Sequence, residues 1–151
     1  MENLVRTHGD LIYDLCESIL WHPTNAQVAF RKIIVSIKRN HKANAFEKYQ
    51  RSWVLRMAYE KLEPLARKHA RRITAAEQID MDSQANVSTK LKSFGIFFHR
   101  LSVEDRILLL LRDKYGLSYL EIASVMRLPE ATLKTRRQQA LHALEEWIWE
   151  S

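Results

Sequence analysis

The segment from Ser102 to Ala140 constrains the fold more than any other part of the chain, because its caps and breakers leave little choice of geometry. Ser102 precedes Val103-Glu104-Asp105 and reads as an N-cap, with two carboxylates at the positive end of the helix it opens. Ile107, Leu108, Leu110 and Leu111 then supply a core face. Gly116 ends that helix, since glycine takes the left-handed C-terminal conformation without strain. Ser118 with Glu121 three residues on spells a capping box for a second helix. Ala123 falls where two crossing helices need a small side chain, and Arg127-Leu128 make the turn. Pro129 starts a third helix at the position where its missing N–H costs nothing. That helix runs to Ala140, with Leu133 and Ala140 inward and Thr132, Lys134, Thr135, Arg136 and Arg137 outward. The pattern is a helix-turn-helix braced by a preceding helix.

The rest of the chain is also helical in pattern. Leu4, Leu11, Ile12, Leu15, Cys16, Ile19 and Leu20 recur at helical spacing and predict a helix over 4–21. His22-Pro23-Thr24-Asn25 predicts a break, with Thr24 or Asn25 capping a second helix over 26–39. There Ala26, Phe30, Ile33, Ile34 and Ile37 form an apolar stripe, while Gln27, Arg31 and Lys38 lie on another face. After a weaker stretch, Phe46–Arg72 reads as a longer helix with Trp53, Met57, Leu62 and Leu65 inward, kinked or ended by Pro64. Residues 73–92 are small and polar and read as a linker, and helix resumes near Phe94. The expectation is an all-α chain of two small domains, 1–72 and 93–151, joined by the 73–92 linker, with the helix-turn-helix in the second. Only three glycines and three prolines in 151 residues agree with it.

Charge bears on partners. The chain carries a formal net charge of +6 and a pI near 9.6, a balance that favours polyanions. Residues 1–72 hold twice as many Lys and Arg as Asp and Glu, whereas 93–151 are balanced. Arg31, Lys32, Lys38, Arg39, Lys42, Lys48, Arg51 and Arg56 therefore read either as a track for a DNA backbone or as a solvated basic face. Trp53 reads as a stacking platform for an unpaired base or as core. Trp147 and Trp149 read by default as packing against the Ile107–Leu111 helix, with a partner surface as the alternative.

Enzymatic chemistry finds no support. The six histidines lack metal-ligand spacing, and a single cysteine cannot complete a zinc site with them. There is no phosphate-cradling glycine loop and no nucleophile elbow. Neither a metal nor another cofactor is expected. Cys16 sits in an apolar pattern and reads as a buried thiol, consistent with a reducing compartment. No signal peptide or long uncharged apolar span is present, so no membrane insertion and a cytoplasmic location are expected.

The stretch LSVEDRILLLLRDKYGLSYLEIASVMRLPEATLKTRRQQALHALEE resembles region four of sigma factors, through Gly116-Leu117-Ser118-Tyr119, Glu121-Ile122-Ala123, Pro129, Thr132, Lys134 and Arg136. The N-terminal half resembles region two. There Leu11-Ile12-Tyr13-Asp14-Leu15 is followed by a Pro23–Ala26 step. Arg51-Ser52-Trp53-Val54 with Arg56-Met57-Ala58 is similar to the helix that melts and reads the minus-ten element. The order of parts is that of an extracytoplasmic-function sigma factor. The resemblance implies a non-enzymatic factor that directs RNA polymerase core to promoter DNA. It places Ser118, Thr132, Lys134, Thr135, Arg136 and Arg137 on the minus-thirty-five element, and Lys48, Arg51 and Arg56 on DNA from the first domain. It places Gln27, Arg31 and Lys38 toward the beta-prime clamp helices, Leu110 and Lys114 near the beta flap, and an anti-sigma factor among the partners.

The chain departs from the family at several places, Pro64 and Ala131 among them. The acidic Asp-Ala-Glu-Asp stretch is Asn25-Ala26-Gln27-Val28, and a further polar or acidic pair is Arg31-Lys32, which weakens or alters docking on a basic surface. Glu60 replaces an asparagine that follows the region-two signature. Arg127 stands where a turn glycine is frequent, an awkward exchange if the turn needs a positive φ. Two other readings follow: a sigma-like DNA-binding regulator that no longer docks productively on core polymerase, and a protein-interaction module that binds an anti-sigma protein.

Overall fold

The computed structural model describes residues 2–20, 22–40, 50–73 and 98–150, and among these the fold is all-α. Helix α1 spans Glu2–Leu20, α2 Pro23–Asn40 and α3 Gln50–Ile73. After a helical turn at 98–100, α4 spans Val103–Leu109 and continues as a π-helical turn, Leu110–Lys114. Helices α5, Tyr119–Met126, and α6, Glu130–Glu150, complete the chain. The weak stretch before α3, including Phe46 and Lys48, lies outside the described residues, as do Phe94 and the expected linker beyond Ile73.

Helix α6 runs from Glu130 to Glu150 where the sequence pattern predicts Pro129–Ala140, and two features of the N-terminal helices also differ from the sequence expectation. Helix α2 starts at Pro23, three residues early: the Ala26 amide donates to the His22 carbonyl (2.9 Å), so Pro23 takes the first helical position and no Thr24 or Asn25 cap is needed. Pro64 does not end α3, which runs through it to Ile73. One lost backbone bond is offset by packing, since Leu62 and Ala66 on either side are both buried.

The N-terminal helices form a three-helix bundle. Ile12, Leu15, Cys16 and Ile19 of α1 meet Ala29, Ile33 and Ile37 of α2 and Val54, Leu55, Ala58 and Leu62 of α3. Trp53 and Met57 are partly buried against this core. The C-terminal helices contribute Ile107, Leu108, Leu111, Leu117, Ile122, Val125 and Leu133. These residues join the same buried cluster, because α3 lies along α5 and both α1 and α3 touch α4. Sequence patterning predicted two helical groups, and the described residues pack them onto one another.

Candidate nucleic-acid interface

The helix-turn-helix forms as the capping pattern dictates. Ser102 accepts a hydrogen bond from the Asp105 amide (3.1 Å) and opens α4. In the π-helical turn the Tyr115 amide donates to the Leu110 carbonyl (2.9 Å), and Gly116 at φ 70° reverses the chain. Ser118 accepts from the Glu121 amide (3.2 Å) and opens α5. The Glu121 carboxylate takes a distant partner, Arg51. Between α5 and α6 the backbone turns at Arg127, with φ 56° and ψ 44°. The turn thus requires the left-handed conformation, and a residue with a Cβ supplies it at an energetic cost. The Leu133 amide then donates to the Pro129 carbonyl (3.1 Å), and Leu133 is fully buried beneath α6.

Along α6 the candidate DNA residues divide. Thr132, Lys134 and Thr135 are exposed on the outer face. Lys134 Nζ stands 5.6 Å from the centre of the Tyr119 ring, and among the described residues no carboxylate pairs with it. Arg112 stacks on the same ring at 4.5 Å and donates to the Leu117 carbonyl, bracing the start of α5. Arg136 is half-buried, and its guanidinium donates to Glu104 (2.6 Å) and Asp105 (2.9 Å) on the first turn of α4. Burial alone lowers the pKa of Arg136, but these two carboxylates outweigh it and hold the net shift upward. Arg137 donates twice to Asp113 (2.6 and 3.0 Å), which likewise raises its pKa. Both arginines tie α6 to the helix in front of it.

The first-domain candidates face inward to the same motif. Arg51 reaches Glu121 of α5 at 2.6 Å. Arg56 donates to the Ser124 carbonyl (3.0 Å) and hydroxyl (2.9 Å). Helix α5 has no basic residue in its last turn, so the Arg56 guanidinium serves an orphan carbonyl there from another helix. Arg67 of α3 reaches Glu104 at 3.3 Å, and Arg127 reaches Glu60 at 3.3 Å. Lys48 lies outside the described residues.

Sequence reasoning missed Arg106. Its side chain is buried and donates to the Ile19 carbonyl at the end of α1 (3.0 Å), a helix that also lacks a basic last turn. The same guanidinium lies 2.9 Å from His99 Nδ1. Burial first, then the neighbouring cation, pushes the His99 pKa down to about 4, so the ring is neutral and Nδ1 accepts. Nothing local in the sequence marks a partner 87 positions away. A second link joins Tyr115 to Asp14, which also pairs with Lys114 (2.9 Å). Burial raises the Tyr115 pKa first and the Asp14 carboxylate adds to it.

Of the polymerase-facing candidates, Gln27, Arg31 and Lys38 are exposed on α2, Leu110 is half-buried in the π-helical turn, and Lys114 is engaged with Asp14. Cys16 is buried, and desolvation, with Glu17 adding, pushes its thiol up to about 12. Trp149 departs from the packing expectation: α6 continues past Ala140 to Glu150, beyond the core, and leaves this ring 83% exposed. Trp147 is half-buried. Among the described residues no group of His, Cys, Asp and Glu could hold a metal ion, and no helix is long and apolar enough to cross a membrane.

Comparison with known proteins agrees with this geometry. Residues 98–144 match the family described as Sigma-70, region 4. A search of curated proteins finds no match. Among solved structures, the chain is similar to the sigma factor RpoE from Bartonella quintana, crystallised in complex with the anti-sigma factor NepR. The TM-score is 0.74 at 16% identity, over 97% of this chain and 95% of that one. Region 4 is a DNA-binding, non-enzymatic part of the transcription initiation machinery. Across α4, α5 and most of α6 the chain is thus similar to sigma-70 region 4, and over nearly its whole length it shares the fold of that solved sigma factor.

Proposed function

We infer that this chain acts in the cytoplasm as an extracytoplasmic-function sigma factor that directs RNA polymerase core to promoters. In this reading α6 enters the major groove at the minus-thirty-five element, with Thr132, Lys134 and Thr135 as the contacts and Ser118 on a neighbouring phosphate. Arg136 and Arg137 hold the angle of α6. Leu110 and Lys114 lie toward the beta flap. Gln27, Arg31 and Lys38 lie toward the beta-prime clamp, and Lys48, Arg51 and Arg56 toward the minus-ten element. The observation that carries the reading is a cationic, hydroxyl-bearing helix face left outward by a helix-turn-helix whose serine cap and left-handed turn form.

Arg51 and Arg56 are occupied by α5 in the packed arrangement, so their use on DNA requires the two helical groups to part. An anti-sigma factor that prefers the packed arrangement would hold the chain inactive. Pull-down with core polymerase, followed by transcription from genomic fragments, tests the proposal: promoter-specific transcripts lost in Lys134→Ala support it. A second reading, a sigma-like regulator that binds DNA without docking productively on core, draws on the cationic α2 face. DNA binding without any promoter-specific transcript would select it.

A further inference from the structure

Helix α6 turns one face away from the core over its first three turns. Leu133 and Ala140 are buried, and a pitch of about 3.6 residues puts Ala131, Thr135, Gln138 and His142 along the line opposite them, all four exposed. Lys134 flanks that line on one side and Gln139 on the other, both exposed. From Glu130 to Gln139 the helix rises about 14 Å, close to the width of a B-form major groove, about 12 Å. Further on, Glu145 and Glu146 are exposed, and their carboxylates repel a phosphate backbone. The segment that fits against a duplex therefore ends near Gln138 and Gln139.

The chemistry of that segment is selective. Arginine is the usual reader of guanine, through its fork of N–H groups. Arg136 is held by Glu104 and Asp105, and Arg137 by Asp113, at 2.6–3.0 Å, and neither lies on the outermost line. Lys134 stands at the flank, beside the Tyr119 ring. The groups left outward are two carboxamides, a threonine hydroxyl and the methyl groups of Ala131 and Thr135. A glutamine carboxamide donates an N–H to adenine N7 and accepts from the adenine N6 amino group. Guanine, with acceptors at both N7 and O6, cannot complete that pair. The outward methyls suit the methyl group of thymine. We propose that Gln138 and Gln139 are specificity-determining residues of α6 and that they select adenine, so that the element this chain reads is set at an A·T pair rather than at guanine. The inference rests on α6 being the helix that enters the groove, and deepens that reading from a position on DNA to the identity of a base.

The full chain, alone and assembled on RNA polymerase core, is used to select duplexes from a library randomised over about one helical turn. Selected duplexes should share adenine at one fixed position or more. In anisotropy titrations, guanine in place of that adenine should weaken binding about tenfold, and so should an adenine analogue with carbon in place of N7. In Gln138→Ala with Gln139→Ala the same replacements should change affinity less than about twofold, while binding to an unselected duplex stays as in the parent. Both positions are exposed on a helix and alanine is a good helix former, so circular dichroism melts should match the unaltered protein. Adenine preference that survives in the double variant would overturn the proposal and point to DNA shape instead. Guanine at the strongest position, with that preference lost in Arg136→Ala, would overturn it in favour of a released arginine. Bound duplexes with no shared sequence would overturn it too, while leaving α6 as a DNA-binding helix. Absence of any duplex binding that depends on Lys134 would sink the promoter reading itself, and this inference with it.

Discussion

Arg136→Ala and Lys134→Ala lie two residues apart on α6, yet the structure assigns them opposite consequences. Arg136 gives two short charge-assisted hydrogen bonds, to Glu104 at 2.6 Å and Asp105 at 2.9 Å, with about a quarter of each side chain exposed. Hydrogen bonds to charged groups contribute about 1.5–3 kcal/mol each when well shielded, and exposed ion pairs under about 1 kcal/mol. Truncation also leaves two carboxylates facing each other without their counterion, although Arg67 still reaches Glu104. A loss of about 1–2 kcal/mol is expected, which lowers the melting temperature by about 2–8 °C for a chain of this size. Lys134 is exposed and makes only a ring contact, so Lys134→Ala should stay within about 0.5 kcal/mol of the parent. On promoter DNA the order reverses. Lys134→Ala should flatten the slope of log K against log salt by about 0.9, one phosphate neutralised fewer, while Arg136→Ala leaves the slope unchanged below its melting temperature. Thermal melts and anisotropy titrations at several salt concentrations measure both quantities. A stable Arg136→Ala protein with a reduced slope would refute the division of labour along α6.

Other expectations follow from single features. Arg127→Gly removes a left-handed strain of about 1–2 kcal/mol, offset by about 0.4–1 kcal/mol of extra chain entropy and a weak exposed ion pair to Glu60, so denaturant melts should find it unchanged or more stable by up to about 1 kcal/mol. Arg127→Ala keeps the strain and loses the pair, and should be the less stable of the two. His99 binds its proton more weakly folded, near 4, than unfolded, near 6.5, so the unfolded state takes up protons first as pH falls. Its contribution is complete above about pH 6.5 and is lost as pH drops toward 4; at pH 5 the loss is on the order of 1 kcal/mol, and His99→Gln should flatten that dependence in denaturant melts. Cys16, buried with its thiol near 12, should resist a thiol-labelling reagent at pH 8 until the chain unfolds; rapid native labelling would show that α1 opens.

The helix-turn-helix was legible in the sequence because its signals are local. Ser102, Gly116, Ser118 and Pro129 each act within four residues of where they stand; the first three take the expected roles, while Pro129 sits one place earlier than expected, just before α6, its carbonyl accepting from the Leu133 amide. Arg127 was legible as a conflict between residue and turn, and the backbone adopts the costly conformation there. The apolar stripes of α1 and α2 also follow from periodicity, as the burial of Ile12, Leu15, Ile33 and Ile37 records. Pairings between distant residues were not legible. Arg51, Arg56, Arg106 and Arg136 look alike in sequence, each a cation on an amphipathic helix, and only the fold decides whether a carboxylate, a carbonyl or solvent receives the guanidinium. Trp149 misled because an aromatic near a chain end signals packing only if the core extends that far.

The continuity of the buried cluster from α1 through α3 into α5 has a thermodynamic corollary. Parting the helical groups strips cover from apolar side chains, so the parted form is a minor population that survives only when another surface takes the place of the lost neighbour. Any ligand that recognises the parted form binds with an apparent Kd raised by the reciprocal of that population. Substitutions that loosen the seam should therefore tighten such ligands while lowering the melting temperature, two effects of opposite sign from one change.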